Sequence, residues 1–521
     1  MTNHIARRQT MGDLLRRSAE RYPDRTAIVD GELRRTYREL DDAVNRAANA
    51  LAERGMGKGD RLALLGHNSY GFVVTYFACA KLGLICVPVN YMLGAGEVGY
   101  ILEHSGATAM VAEDALVPLA EAGIDAAGAP IVVRGVIGDD RAAWEQLSDW
   151  TTHRDAAEPV VDLADDDPVE LLSTSGTESR PKGTMLTSRS LIAKHTSCFV
   201  DGEMRPDDVE IHALPLFHSA QLHCFFTPSI HLGAVNVLLA KAEPAAMLAA
   251  VEAERATKLF CPPTVWIALM NHPDFDRRDL SSLRKGYYGA SIMPVEVLAE
   301  LGERLPGVRL FNFYGQTEMS PVATVLRPED QVRKAGSAGR AALSVETMIV
   351  DDDGNPVPAG EVGEIVHRSP QAMLGYWNDA AKTAETFRGG WLHTGDLGIL
   401  DHEGYLYVVD RKKDMIKSGG ENVASREVEE VIHAHPAVAE AAVFAIPHPR
   451  WIEAVAAVVV PRTGHELAAE DVTHFCRDRL AGFKTPRYVV IAGELPKNPS
   501  GKILKRELRT THADLAKETN R

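Results

Sequence analysis

The sequence predicts an α/β protein: a large N-terminal domain over residues 1–409, with two parallel-sheet α/β subdomains and a small antiparallel β subdomain, then a small α+β domain over residues 410–521. Three observations carry this. Helical faces alternate with short apolar runs, and the alternation resumes after residue 210. From about Val345 to Val409 the texture changes to short strands broken by Asp-Gly, Pro-Ala-Gly and Glu-Gly turns. A charged segment, Asp410 to Lys417, then leads into a stretch with strands and a helix of its own. Helices alternating with buried strands indicate parallel sheets covered on both faces, and frequent turn dipeptides indicate antiparallel hairpins.

Residues 37–54 place Tyr37, Leu40, Val44, Ala47, Ala48 and Leu51 on one helical face, and Gly55 supplies the stop. Leu62 to Leu65, Ile85 to Val89 and Ala109 to Ala112 read as strands. So do Ile211 to Leu216, Val235 to Leu239 and Leu259 to Pro262. The apolar run Phe72 to Val89 reads as a buried helix followed by a strand, because Lys81, Gly83 and Pro88 interrupt any membrane span. Asp351 to Asn355 and Asp401 to Gly404 lack the full calcium-loop spacing and read as hairpin turns. In the small domain, strands are expected at Val438 to Ile446 and Ala454 to Val460, and a helix at Glu470 to Leu480.

Composition bounds the function. The 521 residues are 45% hydrophobic and 25% charged, as in ordinary globular proteins. The net charge of −16 argues against a nucleic-acid partner or an anionic-membrane coat, which need a basic face. The charge is uneven: residues 411–521 hold 18 basic against 15 acidic side chains, a net of +3, which leaves −19 for residues 1–410. Six cysteines without a C-x-x-C, and an N-terminus without an apolar core, lead us to expect a cytoplasmic protein with reduced thiols and no integral membrane association.

The segment Leu171 to Thr187, LLSTSGTESRPKGTMLT, runs from an apolar strand end into hydroxyls, glycines and Lys182. Such a loop offers N–H groups, hydroxyls and a cation to a polyphosphate. It is not the common P-loop, since Gly176 and Gly183 stand seven apart and Lys182 precedes its glycine. Four further segments accompany it in order: FYGQTE at 313–318, GWLHTGD at 390–396, DRKKDMIKSGGENV at 410–423 and NPSGKILKREL at 498–508. With them the chain resembles, nearly end to end, the adenylate-forming superfamily of acyl-CoA synthetases, peptide-synthetase adenylation domains and beetle luciferases.

The resemblance implies ATP, Mg²⁺ and coenzyme A as ligands beside a small-molecule carboxylic acid. It assigns the phosphate loop to Thr174, Ser175, Gly176, Thr177 and Lys182, with Thr174 and Glu318 in catalysis. Tyr314 would stack adenine, Glu318 bind Mg²⁺, and Gly315 and Thr317 border the phosphates. Gly289, Ala290, Ser291 and Asn312 would line adenine, and Asp396 and Arg411 hold the ribose. Lys502 would bridge carboxylate and α-phosphate, worth roughly 3 to 4 kcal/mol by analogy with a single oxyanion donor. Lys505 and Arg506 read as surface charges beside it. Lys413 occupies the hinge position near 410–414, which makes the small domain mobile.

For the second half-reaction, Gly419 and Gly420 would let pantetheine pass close to the backbone, with Trp451 and Phe483 against the CoA nucleotide and Lys484 near its phosphates. The acyl pocket is expected beside Pro215 to His218, with His218 and Gly289 facing the acid. His212, His218, His223 and His231 fit no zinc template, and nothing orients His223 and Cys224 as a nucleophilic pair. Two departures stand out: Glu178-Ser179 inside the phosphate loop, and the bulky Tyr287-Tyr288 before Gly289, whose bulk is expected to narrow the acyl or adenine pocket.

The resulting expectation is an ATP-dependent acyl-CoA synthetase that forms acyl-AMP and pyrophosphate and then transfers the acyl group to CoA, with a fatty acid the first choice of substrate and an aryl acid the second. A ligase delivering acyl-AMP to a carrier protein would adenylate without CoA dependence. A non-catalytic nucleotide binder, suggested by Glu178 and Ser179, has no use for Lys502. A homodimer stays open.

Overall fold

The computed structural model describes residues 6–128, 130–174, 181–289, 293–418, 421–497 and 503–518. The chain forms two compact units, Met1–Thr347 with His367–Leu392, and Met348–Val366 with His393–Arg521.

Among the described residues, the first unit holds a nine-stranded and an eight-stranded sheet. The nine-stranded sheet is ordered Arg340–Ala341, Val322–Leu326, Arg309–Gly315, Lys285–Gly289, Lys258–Phe260, Val209–His212, Val235–Leu238, Thr26–Asp30 and Leu33–Thr36. Its interior pairs are parallel and its flanks antiparallel. In the other sheet Arg61–Leu65 lies parallel between Ile85–Val89 and Ala109–Glu113, while Pro168–Thr174 and Lys182–Thr187 form an antiparallel hairpin. The expected strand at 211–216 is shorter and earlier, Val209–His212, because Asn68 takes over the backbone beyond it. Its amide donates to the carbonyls of His212, Leu214 and Leu239, and its carbonyl accepts from Leu216 N–H.

Local chemistry sets the helix ends. Thr36 and Glu39 form a capping box at the start of Tyr37–Glu53, a device worth about 1 kcal/mol. Tyr70–Leu82 starts at Ser69 and stops at left-handed Gly83. That helix is buried on all sides, which explains a run apolar enough to resemble a membrane span. Among the described residues no helix is long and apolar enough to cross a membrane. One core cluster contains Ile28 and Leu238 from the nine-stranded sheet and Leu172 and Leu186 from the other, so it packs the two sheets together.

Trp391–Leu400 runs antiparallel to both Phe387–Arg388 and Leu406–Arg411, in the stretch read as hairpins. The two acidic turns are closed by their own carboxylates: Asp351 accepts from the Asp353 and Asn355 amides, and Asp401 from those of Glu403 and Tyr405. Further along the second unit, the sheet Glu421–Val423, Ile416–Ser418, Ile452–Pro461, Val438–His448 carries Tyr488–Ile491 parallel to Ile452–Pro461. Alternation sends Val443 and Val455 to one core and Phe444 and Ala456 to another. Lys505, read from sequence as a surface charge, is instead largely buried against Glu429 at 2.8 Å and also donates to Ser425 Oγ at 2.6 Å.

Candidate active site

In the first unit, two neighbouring parallel strands end at glycines. Gly289, at the end of Lys285–Gly289, pairs with Phe313 of Arg309–Gly315. A Cβ on Gly289 would lie 2.4 Å from the Phe313 carbonyl, and one on Gly315 would lie 1.8 Å from that of Pro321. Neither position admits a side chain, so the backbone packs closely at both strand ends, where ligands bind in open α/β sheets.

Beyond Gly315 a short 3₁₀ turn, Thr317–Met319, presents Thr317 and Glu318. The Tyr376 hydroxyl donates to Glu318 Oε1 at 2.8 Å, and the Met373 amide donates to the Glu318 carbonyl at 2.8 Å. Burial and the adjacent Glu318 carboxylate push the Tyr376 phenol far above its ordinary value, so it stays a neutral donor. Tyr376 pairs with Thr184 across an edge of the eight-stranded sheet, which brings the Lys182 ammonium 5.3 Å from the tyrosine ring centroid. Thr174 lies opposite Lys182 in the hairpin. Thr174, Lys182, Tyr376 and Glu318 thus form one chain of neighbours.

A second approach comes from the segment after Leu216. His218 Nδ1 accepts from Ala220 N–H at 3.2 Å, and Ser219 Oγ lies 3.0 Å from Thr317 Oγ1. Asn312 donates to the Ser337 carbonyl at 3.2 Å, and the Tyr314 ring stands 6.4 Å from His367. Tyr287 and Tyr288, expected to narrow a pocket, are core residues: Tyr287 stacks on Phe311 with its hydroxyl on the Gly202 carbonyl, and Tyr288 donates to Gln331. Three of the four histidines considered for zinc are committed elsewhere, His212 to Asn236 and Gln221, His223 to Glu170, and His231 to His195.

In the second unit Asp396 pairs in register with Arg411, and Arg411 Nε is 3.5 Å from Asp396 Oδ1. Left-handed Gly395 and the Thr394 hydroxyl, which accepts from the Asp396 amide, shape the strand Trp391–Leu400 just before the carboxylate. Lys413 is exposed in the turn that follows Arg411. Trp451 stacks on His448 at 4.2 Å, and the Arg487 guanidinium lies 3.8 Å from its ring centroid. Phe483 is 38% exposed, so it is not spent on the core. Lys484, expected near phosphates, is engaged by both Glu427 oxygens at 2.7 and 2.8 Å.

Ser175, Gly176, Thr177, Glu178, Ser179, Ala290, Ser291, Gly419, Gly420 and Lys502 lie outside the described residues. Sequence reasoning missed Tyr376 and Ser219. Neither belongs to a motif, and only strand pairing and a loop contact bring them to Glu318 and Thr317.

An AMP-binding enzyme signature matches residues 15–377, and an AMP-binding enzyme C-terminal domain signature matches residues 427–502. The chain belongs to the AMP-binding enzyme family. Among relatives of this AMP-binding enzyme, a feruloyl-CoA synthase of Amycolatopsis is 38% identical over 503 residues, covering 96% of this chain and 99% of the relative. A long-chain-fatty-acid–CoA ligase of Mycobacterium tuberculosis is 35% identical over 509 residues, covering 97% and 99%. The crystal structure of an anthranilate CoA ligase in complex with anthranoyl-AMP superposes with a TM-score of 0.90 at 28% identity, covering 98% of each chain. The family places this AMP-binding enzyme in the adenylate-forming superfamily, among AMP-forming acid-thiol ligases.

Proposed function

We propose that this chain activates a fatty or aryl carboxylic acid with ATP, forming acyl-AMP and pyrophosphate, and then passes the acyl group to the CoA thiol with release of AMP. The observation that carries the reading is the set Lys182, Tyr376 and Glu318, a cation and an oriented carboxylate on adjoining elements. The two kinds of acid are those named for the relatives above.

The carboxylate oxygen of the acid attacks the α-phosphorus, and the bond to the pyrophosphate oxygen breaks. Lys182 meets the phosphate charge. Glu318, its carboxylate orientation set by Tyr376, is the hard oxygen ligand that Mg²⁺ takes. Mg²⁺ bound there would supply charge neutralisation for the polyphosphate. Asp396 accepts from the ribose hydroxyls with Arg411 beside it, and Tyr314 offers a ring to adenine. Lys502 steadies the charge gathering on the α-phosphoryl oxygens. Residues 410–414 serve as the hinge between the adenylating and thioester-forming states, with Lys413 in its exposed turn; Trp451 and Phe483 receive the CoA nucleotide. All six cysteines are free and buried, which supports a cytoplasmic location.

The test is pyrophosphate exchange across a panel of fatty, aryl and amino acids, repeated as product formation with and without CoA. Exchange with a fatty or aryl acid and CoA-dependent thioester are expected. Exchange with none overturns adenylation, and exchange without thioester favours a carrier-protein acceptor.

A further inference from the structure

The segment that carries His218 and Ser219 continues into a π-helix, Ala220–Phe226. Its hydrogen bonding shows why it is not an α-helix. At its start Leu222 N–H donates to the His218 carbonyl in the usual four-residue step. At its end Thr227 N–H reaches five residues back to the Leu222 carbonyl and passes over that of His223. The bypassed carbonyl accepts from Lys194 Nζ. Lys194 stands on the helix Ser188–Val200 and is fully buried.

A buried ammonium is costly unless compensated. Burial pulls the Lys194 ammonium below its ordinary value, opposed by the nearby Cys198, Cys224 and, least, the fully buried Glu170. Glu170 Oε2 lies 2.5 Å from His223 Nε2, so the residue whose carbonyl Lys194 holds is gripped through its side chain as well. A carboxylate inside an apolar strand and a lysine inside a buried helix are spent together on one turn of backbone.

That turn leads to the site. Ser219, which immediately precedes the π-helix, lies 3.0 Å from Thr317 Oγ1, next to Glu318. If the His223 carbonyl lost Lys194, it would draw Thr227 N–H into an α-helical step. The residues upstream would then turn relative to Phe226 by about one residue, roughly 100°. Ser219 would leave Thr317.

We propose that Lys194 and Glu170 are positioning residues that hold residues 220–226 in the π-helix through His223 and thereby set His218 toward the acid, with Ser219 fixing the register against Thr317. This rests on the adenylation reading given above, in which residues 215–218 border the acid.

The test is Lys194→Met, similar in length but without the donor, assayed in pyrophosphate exchange with the best acid of the panel. The KM for the acid rises about tenfold or more while the KM for ATP stays within about twofold, a split that a general loss of folded enzyme does not produce. His218→Ala, which removes the side chain expected to face the acid, reproduces the split. Because both act through one element, the double variant is no worse than Lys194→Met alone. An unmoved acid KM in folded Lys194→Met overturns the proposal, as do losses that multiply in the double variant. Should Lys194→Met not fold, Glu170→Gln keeps a neutral hydrogen-bond acceptor for His223 and removes the carboxylate charge that grips it. It is expected to show the same split at about threefold, and no split there overturns the proposal. Wild-type enzyme that exchanges with no acid defeats the adenylation reading itself, whereas an active wild type with an unmoved Lys194→Met defeats only the positioning role.

Discussion

The Tyr376 hydroxyl and Glu318 Oε1 meet at 2.8 Å across 58 residues of sequence, and this contact orients the carboxylate proposed to hold Mg²⁺. A hydrogen bond to a charged acceptor contributes about 1.5 to 3 kcal/mol. Tyr376→Phe is therefore expected to slow pyrophosphate exchange by roughly 10- to 100-fold at low Mg²⁺, with partial recovery as Mg²⁺ is raised. A Mg²⁺ titration of the variant reads this directly, and an unchanged titration removes Tyr376 from the site.

Asp396 and Arg411 face each other in register, with Nε 3.5 Å from Oδ1. If they hold the ribose together, Asp396→Asn raises the KM for ATP by about tenfold. Adding Arg411→Gln then costs less than its effect alone. Saturation curves for ATP in the two single variants and the double variant decide it. Strict additivity indicates separate roles.

Lys502→Ala is expected to slow acyl-AMP formation by roughly 100- to 1,000-fold, the scale of a lost oxyanion donor. Conversion of supplied acyl-AMP to thioester should persist. Equal loss of both half-reactions would refute its assignment to adenylation.

Burial pushes His212, His231 and His367 down to about 4 each. An unfolded histidine titrates near 6.5. The folded chain therefore binds fewer protons than the unfolded chain between these values, so the stability these groups contribute is complete above pH 6.5 and is lost as pH falls toward about 4. Each accounts for up to about 3 kcal/mol, an order-of-magnitude figure. Thermal melts from pH 7.5 to 4.5 should show a falling Tm below pH 6.5, and His367→Gln should reduce the fall. A flat profile would contradict it.

Gly315→Ala is expected to cost about 1 to 3 kcal/mol and to remove activity beyond its loss of stability. The added Cβ would lie 1.8 Å from the Pro321 carbonyl, so the strand end bearing Tyr314 must shift, and with it the turn that presents Glu318. Melting temperature and exchange rate measured together separate the two effects.

Much of this protein is written locally. The helix Tyr37–Glu53 follows from its apolar spacing and the Thr36–Glu39 box, and the Asp351 and Asp401 turns from carboxylates that cap their own backbone. Family membership likewise rests on contiguous segments, because a strand end, its turn and the ligand groups on that turn are neighbours in the chain. Tertiary structure alone decided the pairings between distant side chains. Tyr376 reaches Glu318 through an edge-strand register, Lys505 turns inward to Glu429, and Tyr287 and Tyr288 enter the core instead of a pocket. Lys194 and Glu170, from separate elements, both reach His223, a meeting that only folding makes. The physical reason is common to all of them. Periodicity and capping act over a few residues of backbone, whereas the worth of a buried polar group depends on a partner that only packing brings within hydrogen-bonding distance.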